Sequence, residues 1–201
     1  MKLFFLAMAL MLPLAFSANL KAAEKYMLNT KSSMIQWEGK KVLGKHDGNI
    51  MFKSGWIELN NDELIGGEFY VDMNSIENND LKDDQESMNK LVGHLKSDDF
   101  FNVKEYPTSK LKISKVAKDK DYGSSTKYNV TGDLTIRNKT YTYTFPVTIT
   151  NSDDKIHASA LLTFDRSNHD VKFGSGSFFK GLGDKMIYDE VPLDMTVVFV
   201  K

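Results

Sequence analysis

Residues 128–147 read YNVTGDLTIRNKTYTYTFPV, and the reading of this stretch decides the fold. Tyr128, Val130, Leu134 and Ile136 alternate with Asn129, Thr131, Asp133 and Thr135. After Arg137-Asn138-Lys139, Tyr141, Tyr143, Phe145 and Val147 alternate with Thr140, Thr142, Thr144 and Pro146. Successive side chains of a strand point to opposite faces, so this period of two gathers the apolar groups on one side. Asn tolerates the left-handed backbone of a tight turn. The stretch therefore predicts an antiparallel hairpin with one apolar face and one threonine-rich face.

The same alternation extends in both directions. Downstream it runs through Ile156, Ala158, Ala160, Leu162 and Phe164, and again through Val191, Leu193, Met195, Val197 and Phe199. Upstream it is shorter: Ile35 and Trp37, Ile57 and Leu59, Phe69 with Val71 and Met73, and a weaker Leu111 and Ile113. Asn60-Asn61-Asp62 and Asn151-Ser152-Asp153-Asp154 supply turn chemistry between runs. Gly66-Gly67 beside a strand suggests a bulge or sharp bend. One segment breaks the rule. In residues 84–96, Met88, Leu91, Val92 and Leu95 form a single apolar stripe at helical spacing, and Asp83 with Glu86 resembles a capping box. Short antiparallel strands in series read as a sandwich or a barrel. With one amphipathic helix added, they suggest a closed barrel whose helix covers an opening or an edge.

Composition bounds the function. The chain has 201 residues, 41% hydrophobic and 26% charged, with a formal charge of −1. That is one globular domain rather than a disordered chain or a coiled coil. A near-neutral balance gives no electrostatic footprint for nucleic acid, so no nucleic-acid partner is expected. The absence of cysteine excludes disulfides, thiolate catalysis and Cys-ligated zinc.

Residues 1–22 read as a secretory signal peptide. Lys2 opens it, Leu3 to Phe16 is a continuous apolar run, and the small residues Ser17, Ala18, Ala22 and Ala23 follow. The run is shorter than the ~20 residues that span a bilayer. Residues 23–201 would then form the mature domain, periplasmic or secreted, with no membrane span of its own. Taking Lys2 and Lys21 from 26 basic residues against 27 acidic ones leaves a mature charge of −3.

The search for chemistry yields little. The four histidines, His46, His94, His157 and His169, form neither H-x-H nor H-E-x-x-H, so no metal site is predicted. His157 lies on the polar face of its strand. His46 sits within Gly44-Lys45-His46-Asp47-Gly48. There is no G-x-S-x-G elbow and no phosphate-cradling glycine loop. Phe173-Gly174-Ser175-Gly176-Ser177-Phe178-Phe179 reads as a loop with two aromatics tucked into or over the core. Carboxylates are scattered, with no acid–base pair singled out. A chain rich in apolar wall and poor in reactive groups reads as a container rather than a catalyst, with no cofactor.

At this point four motifs, in order, resemble the YceI-like family of secreted bacterial proteins, a polyisoprenoid-binding family with a lipocalin-like fold. They are Trp37-Glu38-Gly39 followed by Gly44-Lys45-His46-Asp47-Gly48; His94-Leu95-Lys96-Ser97-Asp98-Asp99-Phe100-Phe101 followed by Tyr106-Pro107; Gly132-Asp133-Leu134-Thr135-Ile136-Arg137 followed by Phe145-Pro146; and Asp165-Arg166 leading to the Gly174 loop. The match spans about residues 26–201. Asn138 stands where a glycine is often expected, and Asn adopts the same backbone at little cost.

The resemblance implies an all-β, extended eight-stranded antiparallel barrel with one short amphipathic helix, its lumen holding a long isoprenoid lipid. Such a barrel has just room to be filled by side chains or to hold one small ligand. Each buried methylene contributes about 0.8 kcal/mol, so an apolar chain needs no charged anchor. The expected lumen residues are Trp37, Phe69, Val71, Met73 and Tyr143, with Phe145, Ala160, Leu162 and Phe164. His46, His94 and Arg166 are the expected rim donors for a polar lipid head. Two other functions compete with the carrier: a barrel-pocket enzyme needing a buried titratable group in the lumen, and a structural or stress-related protein with a filled core. The sequence leaves a homodimer open.

Overall fold

The computed structural model describes residues 22–152 and 155–201. The expected signal segment, apart from Ala22, and Asp153-Asp154 of the expected turn lie outside the described residues. Nine strands follow in chain order: β1 (Glu24–Leu28), β2 (Met34–Lys41), β3 (Gly44–Asn60), β4 (Glu63–Asp72), β5 (Thr108–Tyr122), β6 (Ser125–Ile136), β7 (Lys139–Ser152), β8 (Lys155–Asp165) and β9 (Glu190–Val200). One α-helix, α1 (Gln85–Lys96), stands between β4 and β5. Among the described residues no helix is long and apolar enough to cross a membrane.

Each strand from β2 to β9 pairs antiparallel with its neighbours, and β2 also pairs with β9, which closes an eight-stranded barrel. The ninth strand does not add a stave. β1 pairs with β3 at Glu24–Met27 and with β9 at Met27–Leu28, while β2 occupies the same gap further along. A short 3-10 turn at Thr30–Ser32 separates them. There the Val198 N–H donates to Ser33 Oγ (3.0 Å), and the Asn29 N–H donates to the Val198 carbonyl (2.8 Å), so the wall stays bonded across the break.

The alternation of the quoted stretch is realised directly. Leu134 stands opposite Tyr141, Val130 opposite Phe145 and Tyr128 opposite Val147. The hairpin turns on Arg137 and Asn138, both in left-handed backbone (φ 49° and 59°), as the inward twist of a two-residue turn requires. Arg137 is a costly residue there. Its Nη1 donates to the carbonyls of Phe100 and Asp170, both at 2.8 Å, and so ties together the two long connections at that end of the barrel.

Two strands carry alternation that changes phase. In β3 the inward residues are Gly48, Ile50 and Phe52, then Gly55, Ile57 and Leu59. The register slips between Phe52 and Ser54, and the bulge moves the apolar set by one residue. In β4 the inward set passes from Leu64 to Gly67 and Phe69, with Ile65 left outside. The bulge expected beside Gly66-Gly67 is therefore present. Met73, read from sequence as the end of this strand, begins a 3-10 turn instead but remains buried.

The helix is present with one correction. Asp84, not Asp83, is the N-cap: its carboxylate accepts the Ser87 N–H at 3.0 Å. Met88, Leu91, Val92 and Leu95 are all only half-buried, and no residue of α1 is fully buried.

Candidate functional site

The inward faces of the strands do not mesh completely. They leave an internal cavity of about 180 Å³ along the barrel. Bulky groups stand back from one another where small ones are inserted: Ala158 and Ala160 on β8 and Ser109 on β5. Gly132 also faces the interior, but the space beside it is taken by Leu111, whose Cδ1 would lie 3.0 Å from a Cβ at that position. The lining is overwhelmingly apolar. Among the described residues its only charged side chain is Arg166, and Ser109 and Tyr188 are among the few others that carry a polar group. For scale, an apolar cavity of about 150 Å³ stays dry and admits a benzene ring. A longer apolar chain would enter only as lining side chains move aside.

The two ends of the cavity differ. At the floor, Phe199 (1% exposed) closes the space, with its ring centroid 6.0 Å from that of Phe69. Leu59, Tyr128 and Ile156 are buried beyond it, and the Tyr128 hydroxyl accepts the Leu64 N–H at 3.3 Å. At the mouth the wall gives way to two connections: α1 with Phe100 and Phe101, and the segment between β8 and β9, which contributes Arg166, Ile187 and Tyr188. Leu95 is the one residue of the helical stripe that lines the cavity.

Eight of the nine residues expected in the lumen line the cavity: Trp37, Phe69, Val71, Met73, Phe145, Ala160, Leu162 and Phe164. Tyr143 does not. It shares the inward parity of β7, but the β7–β8 ladder ends at Val147–Ala160, and beyond that point the ring stacks on the buried His169 (6.0 Å, 26°). Trp37 is oriented by its indole N–H, which donates to the Asn49 carbonyl (3.3 Å).

Of the expected head-group donors, His46 and His94 lie outside the cavity. His46 Nδ1 meets Asp80 Oδ2 at 2.8 Å, and Asp80 also accepts the Asp47 N–H (3.0 Å). Burial pushes the Asp80 carboxyl up, but the hydrogen bonds from His46, Asp47 and Asn78 outweigh it and hold the carboxyl below its ordinary range. His46 thus fastens the acidic loop to β3. Gly48 permits that approach, since a Cβ there would fall 1.9 Å from the Glu77 carbonyl oxygen. His94, on α1, packs edge-on against Phe173 (4.4 Å) and Phe100 (5.7 Å).

Arg166 does reach the cavity, yet all three of its nitrogens are already engaged. Nε donates to the Tyr188 carbonyl (3.2 Å), Nη1 to those of Val171 (3.2 Å) and Phe173 (2.8 Å), and Nη2 to that of Ile187 (3.2 Å). Nη2 also pairs with Asp189 Oδ1 at 3.1 Å. Desolvation draws the guanidinium below its ordinary pKa, and the charges of Asp189 and Asp165 oppose that shift. The side chain is therefore a staple for the segment 167–190, not a free donor to a lipid head.

Sequence reasoning missed the partners of this staple. Asp189 Oδ2 accepts from both Ser175 Oγ and Ser177 Oγ, each at 2.7 Å. His169, fully buried, contacts the Lys139 carbonyl through Nδ1 (2.9 Å) and the Tyr143 hydroxyl through Nε2 (3.1 Å). A carbonyl can only accept, so Nδ1 carries the proton and Nε2 receives the tyrosine O–H. Burial lowers the His169 pKa and keeps the ring neutral. No local spacing signals these contacts, since their partners are 12 to 30 residues apart. The loop aromatics also need correcting: Phe178 (48%) and Phe179 (50%) are exposed, not tucked over the core.

Comparison with known proteins agrees with this architecture. The model of the YceI-like domain matches residues 26–199. Among solved structures, BcnA of Burkholderia cenocepacia is 25% identical, with a TM-score of 0.67 over 85% of this chain and 98% of its own. A polyisoprenoid binding domain from Saccharophagus degradans, implicated in plant cell wall breakdown, is 13% identical, with a TM-score of 0.62 over 87% and 97%. A mutant CJ YceI protein made for nanotechnology applications is 17% identical, with a TM-score of 0.51 over 100% and 99%. No curated protein sequence gives a significant match.

Proposed function

The chain belongs to the YceI-like family, and from that premise we propose that it is a periplasmic or secreted carrier that holds a polyisoprenoid-like lipid chain in its barrel. The observation that carries this reading is the cavity itself: about 180 Å³ of unfilled space, apolar along the wall, closed at Phe199 and reaching the mouth beside Tyr188. A filled core would serve a purely structural role equally well, whereas unfilled apolar space forfeits packing contacts and so has a cost. An apolar guest restores those contacts, and each methylene it buries contributes about 0.8 kcal/mol. The likeness to a polyisoprenoid binding domain supports the choice of guest. Among the described residues the lining supplies no carboxylate and no imidazole, which favours holding a ligand over transforming it. Export is supported by the signal-like composition of residues 1–22.

The test is native mass spectrometry and solvent extraction of protein purified from its own host, with thermal unfolding in the presence of prenyl alcohols of increasing length. We expect co-purifying lipid and a melting temperature that rises with chain length until the cavity is full. Lipid-free preparations whose melting temperature no prenyl alcohol changes would overturn the proposal.

A further inference from the structure

The seam between β7 and β8 is closed over only part of its length. Its ladder runs from Ser152–Lys155 to Val147–Ala160 and stops there, although β7 begins at Lys139 and β8 continues to Asp165. Pro146 stands at the stop. The two-residue turn at Arg137-Asn138 makes Ile136 and Lys139 a hydrogen-bonded pair, so Tyr141, Tyr143 and Phe145 bond to β6. The hydroxyl contacts Thr135–Thr140 (2.8 Å) and Thr131–Thr144 (3.0 Å) fit the closer, non-bonded pairs between them. Thr140, Thr142, Thr144 and Pro146 therefore turn their backbone toward β8. Continuing the register puts Pro146 opposite Leu161, Thr144 opposite Thr163 and Thr142 opposite Asp165. Proline has no N–H to give, and the ladder ends at it. Among the described residues no backbone–backbone hydrogen bond joins 139–146 to 161–170.

The other side of the β8–β9 ribbon is fastened differently. The β2–β9 ladder stops at Trp37–Leu193, beside Pro192, but it closes again beyond. There the Tyr188 N–H donates to the Lys40 carbonyl (2.9 Å), the Val42 N–H donates to the Met186 carbonyl (3.2 Å), and Lys41 bridges to Ile187. The upper ribbon, 161–165 with 190–194, is thus held to β2 by backbone and to β7 by side chains. Those side chains are few. The Tyr143 hydroxyl meets His169 Nε2 (3.1 Å), Asn168 Nδ2 (3.5 Å) and the Asp165 carbonyl (3.4 Å). His169 Nδ1 donates to the Lys139 carbonyl (2.9 Å), Arg137 to that of Asp170 (2.8 Å), and Lys139 forms an exposed pair with Asp170 (3.7 Å). The β4–β5 ladder also stops short, at Glu68–Lys112, but Ile113 fills the space there, its Cδ1 3.2 Å from where a Gly67 Cβ would stand.

Behind this seam lies the cavity. Phe145 and Val147 on one edge, and Ala160, Leu162 and Phe164 on the other, all line it. Outside, Tyr141 (45%) and Leu161 (52%) stand exposed at the two lips. A ribbon fastened by backbone on one side and by a side-chain latch on the other can swing without breaking a ladder. Such a swing would admit a long apolar chain sideways, whereas the mouth would require it to be threaded end first between two packed connections.

We propose that the β7–β8 seam is a lateral gate of the cavity, hinged on β2 and latched by Tyr143 and His169, through which the apolar guest is loaded and released. The proposal rests on the carrier reading for its guest, but the motion is measurable without one. The chain has no cysteine, so cross-links can be placed at will. Thr144→Cys with Thr163→Cys, joined by a short bismaleimide, shuts the seam. Thr131→Cys with Thr144→Cys, joined by the same reagent, ties a seam that is already paired. Uptake of farnesol, followed by the fluorescence of the cavity-lining Trp37, should slow by roughly tenfold or more in the first and match wild type in the second. Tyr143→Phe keeps the ring and removes the latch hydroxyl. It should speed uptake and release together, leaving the equilibrium thermal shift close to that of wild type. Without a guest, a thiol reagent should label Leu162→Cys, at the seam, faster than Val130→Cys on β6, which is paired along both edges. Adding Tyr143→Phe should accelerate labelling at 162 alone. Farnesol uptake indifferent to the seam cross-link would overturn the gate. So would labelling at 162 that neither exceeds that at 130 nor responds to Tyr143→Phe. If wild type takes up no farnesol, the carrier reading falls, and the labelling rates still decide the gate.

Discussion

The floor and the mouth of this barrel are closed by opposite means. At the floor the strands turn on short links, such as Asn61-Asp62 (φ 49° and 64°), and the space is stopped by Phe199, Leu59, Tyr128 and Ile156. At the mouth two long connections, 73–107 and 166–189, are held by charge and hydrogen bonds: Arg166 with Asp189, His169 between Lys139 and Tyr143, and His46 with Asp80. Apolar closure is tolerant of sequence and gives a dead end. Polar closure depends on particular partners, and it leaves apolar side chains free to face outward around an opening.

That contrast breaks most easily at its two anchors. Arg166→Met leaves Asp189 uncompensated and four backbone carbonyls without donors, which should cost about 3–5 kcal/mol in chemical denaturation. Arg166→Lys should recover little of it, because an ammonium cannot fan out to carbonyls on several sides. Phe199→Ala at the floor should cost a similar ~3–5 kcal/mol. The two differ in salt response: the floor variant should lose the same stability at every ionic strength, while the loss in the Arg166 variant should shrink as salt screens the uncompensated Asp189 carboxylate. Equal salt profiles for the two variants would erase the distinction.

What could be read from sequence follows the same division. The wall is a period-two object, and the alternation in residues 128–147, 156–164 and 191–199 located four of the eight staves and 14 of the 35 residues that line the cavity. β3 was legible only in part, because its bulge at Phe52–Ser54 reverses the phase and splits one 17-residue strand into two short, inconsistent runs. β1 completes the same stave as β2 and carries too few inward residues to signal itself. The mouth was illegible where its contacts join distant positions. Nothing near His169 names Lys139 or Tyr143, and nothing near Arg166 shows that its donors are spent on backbone carbonyls. Parity alone placed Tyr143 in the lumen, since parity gives the face of a strand but not what packs against that face, here His169.

Filling the cavity sharpens the comparison from within. Ala160→Phe introduces a ring where β8 leaves room, at a cost of about 1–3 kcal/mol for overpacking or less if the void absorbs it. It should abolish prenyl-alcohol thermal shifts while leaving the far-ultraviolet circular dichroism of wild type. Retention of the full ligand-induced shift would mean that the ligand sits elsewhere.

His169 gives the mouth a dependence on pH that the floor lacks. Its folded pKa lies below the ordinary value because burial disfavours the imidazolium. The unfolded chain therefore binds a proton first as pH falls. The stability contributed by the neutral ring is fully present above the unfolded value of about 6.5 and declines below it toward the folded pKa. A series of melts from neutral to mildly acidic pH should show this loss, and His169→Asn should flatten it while lowering stability at neutral pH. An unchanged slope in the variant would assign the acid sensitivity to the carboxylates instead.

The smallest effect separates two adjacent aspartates at the start of α1. Asp84 accepts the Ser87 N–H and satisfies one of the free donors of the first turn, whereas Asp83 shows no such contact. Asp84→Ala should cost about 1 kcal/mol and Asp83→Ala close to nothing. Because α1 buries none of its residues fully and only Leu95 reaches the cavity, the cap should control how long the helix stays seated at the mouth more than it controls the barrel. Hydrogen exchange of α1 in the Asp84 variant should accelerate while β6 and β7 exchange as in wild type. Uniform acceleration would show that helix and wall open together, and that the mouth is as much a part of the folded core as the floor.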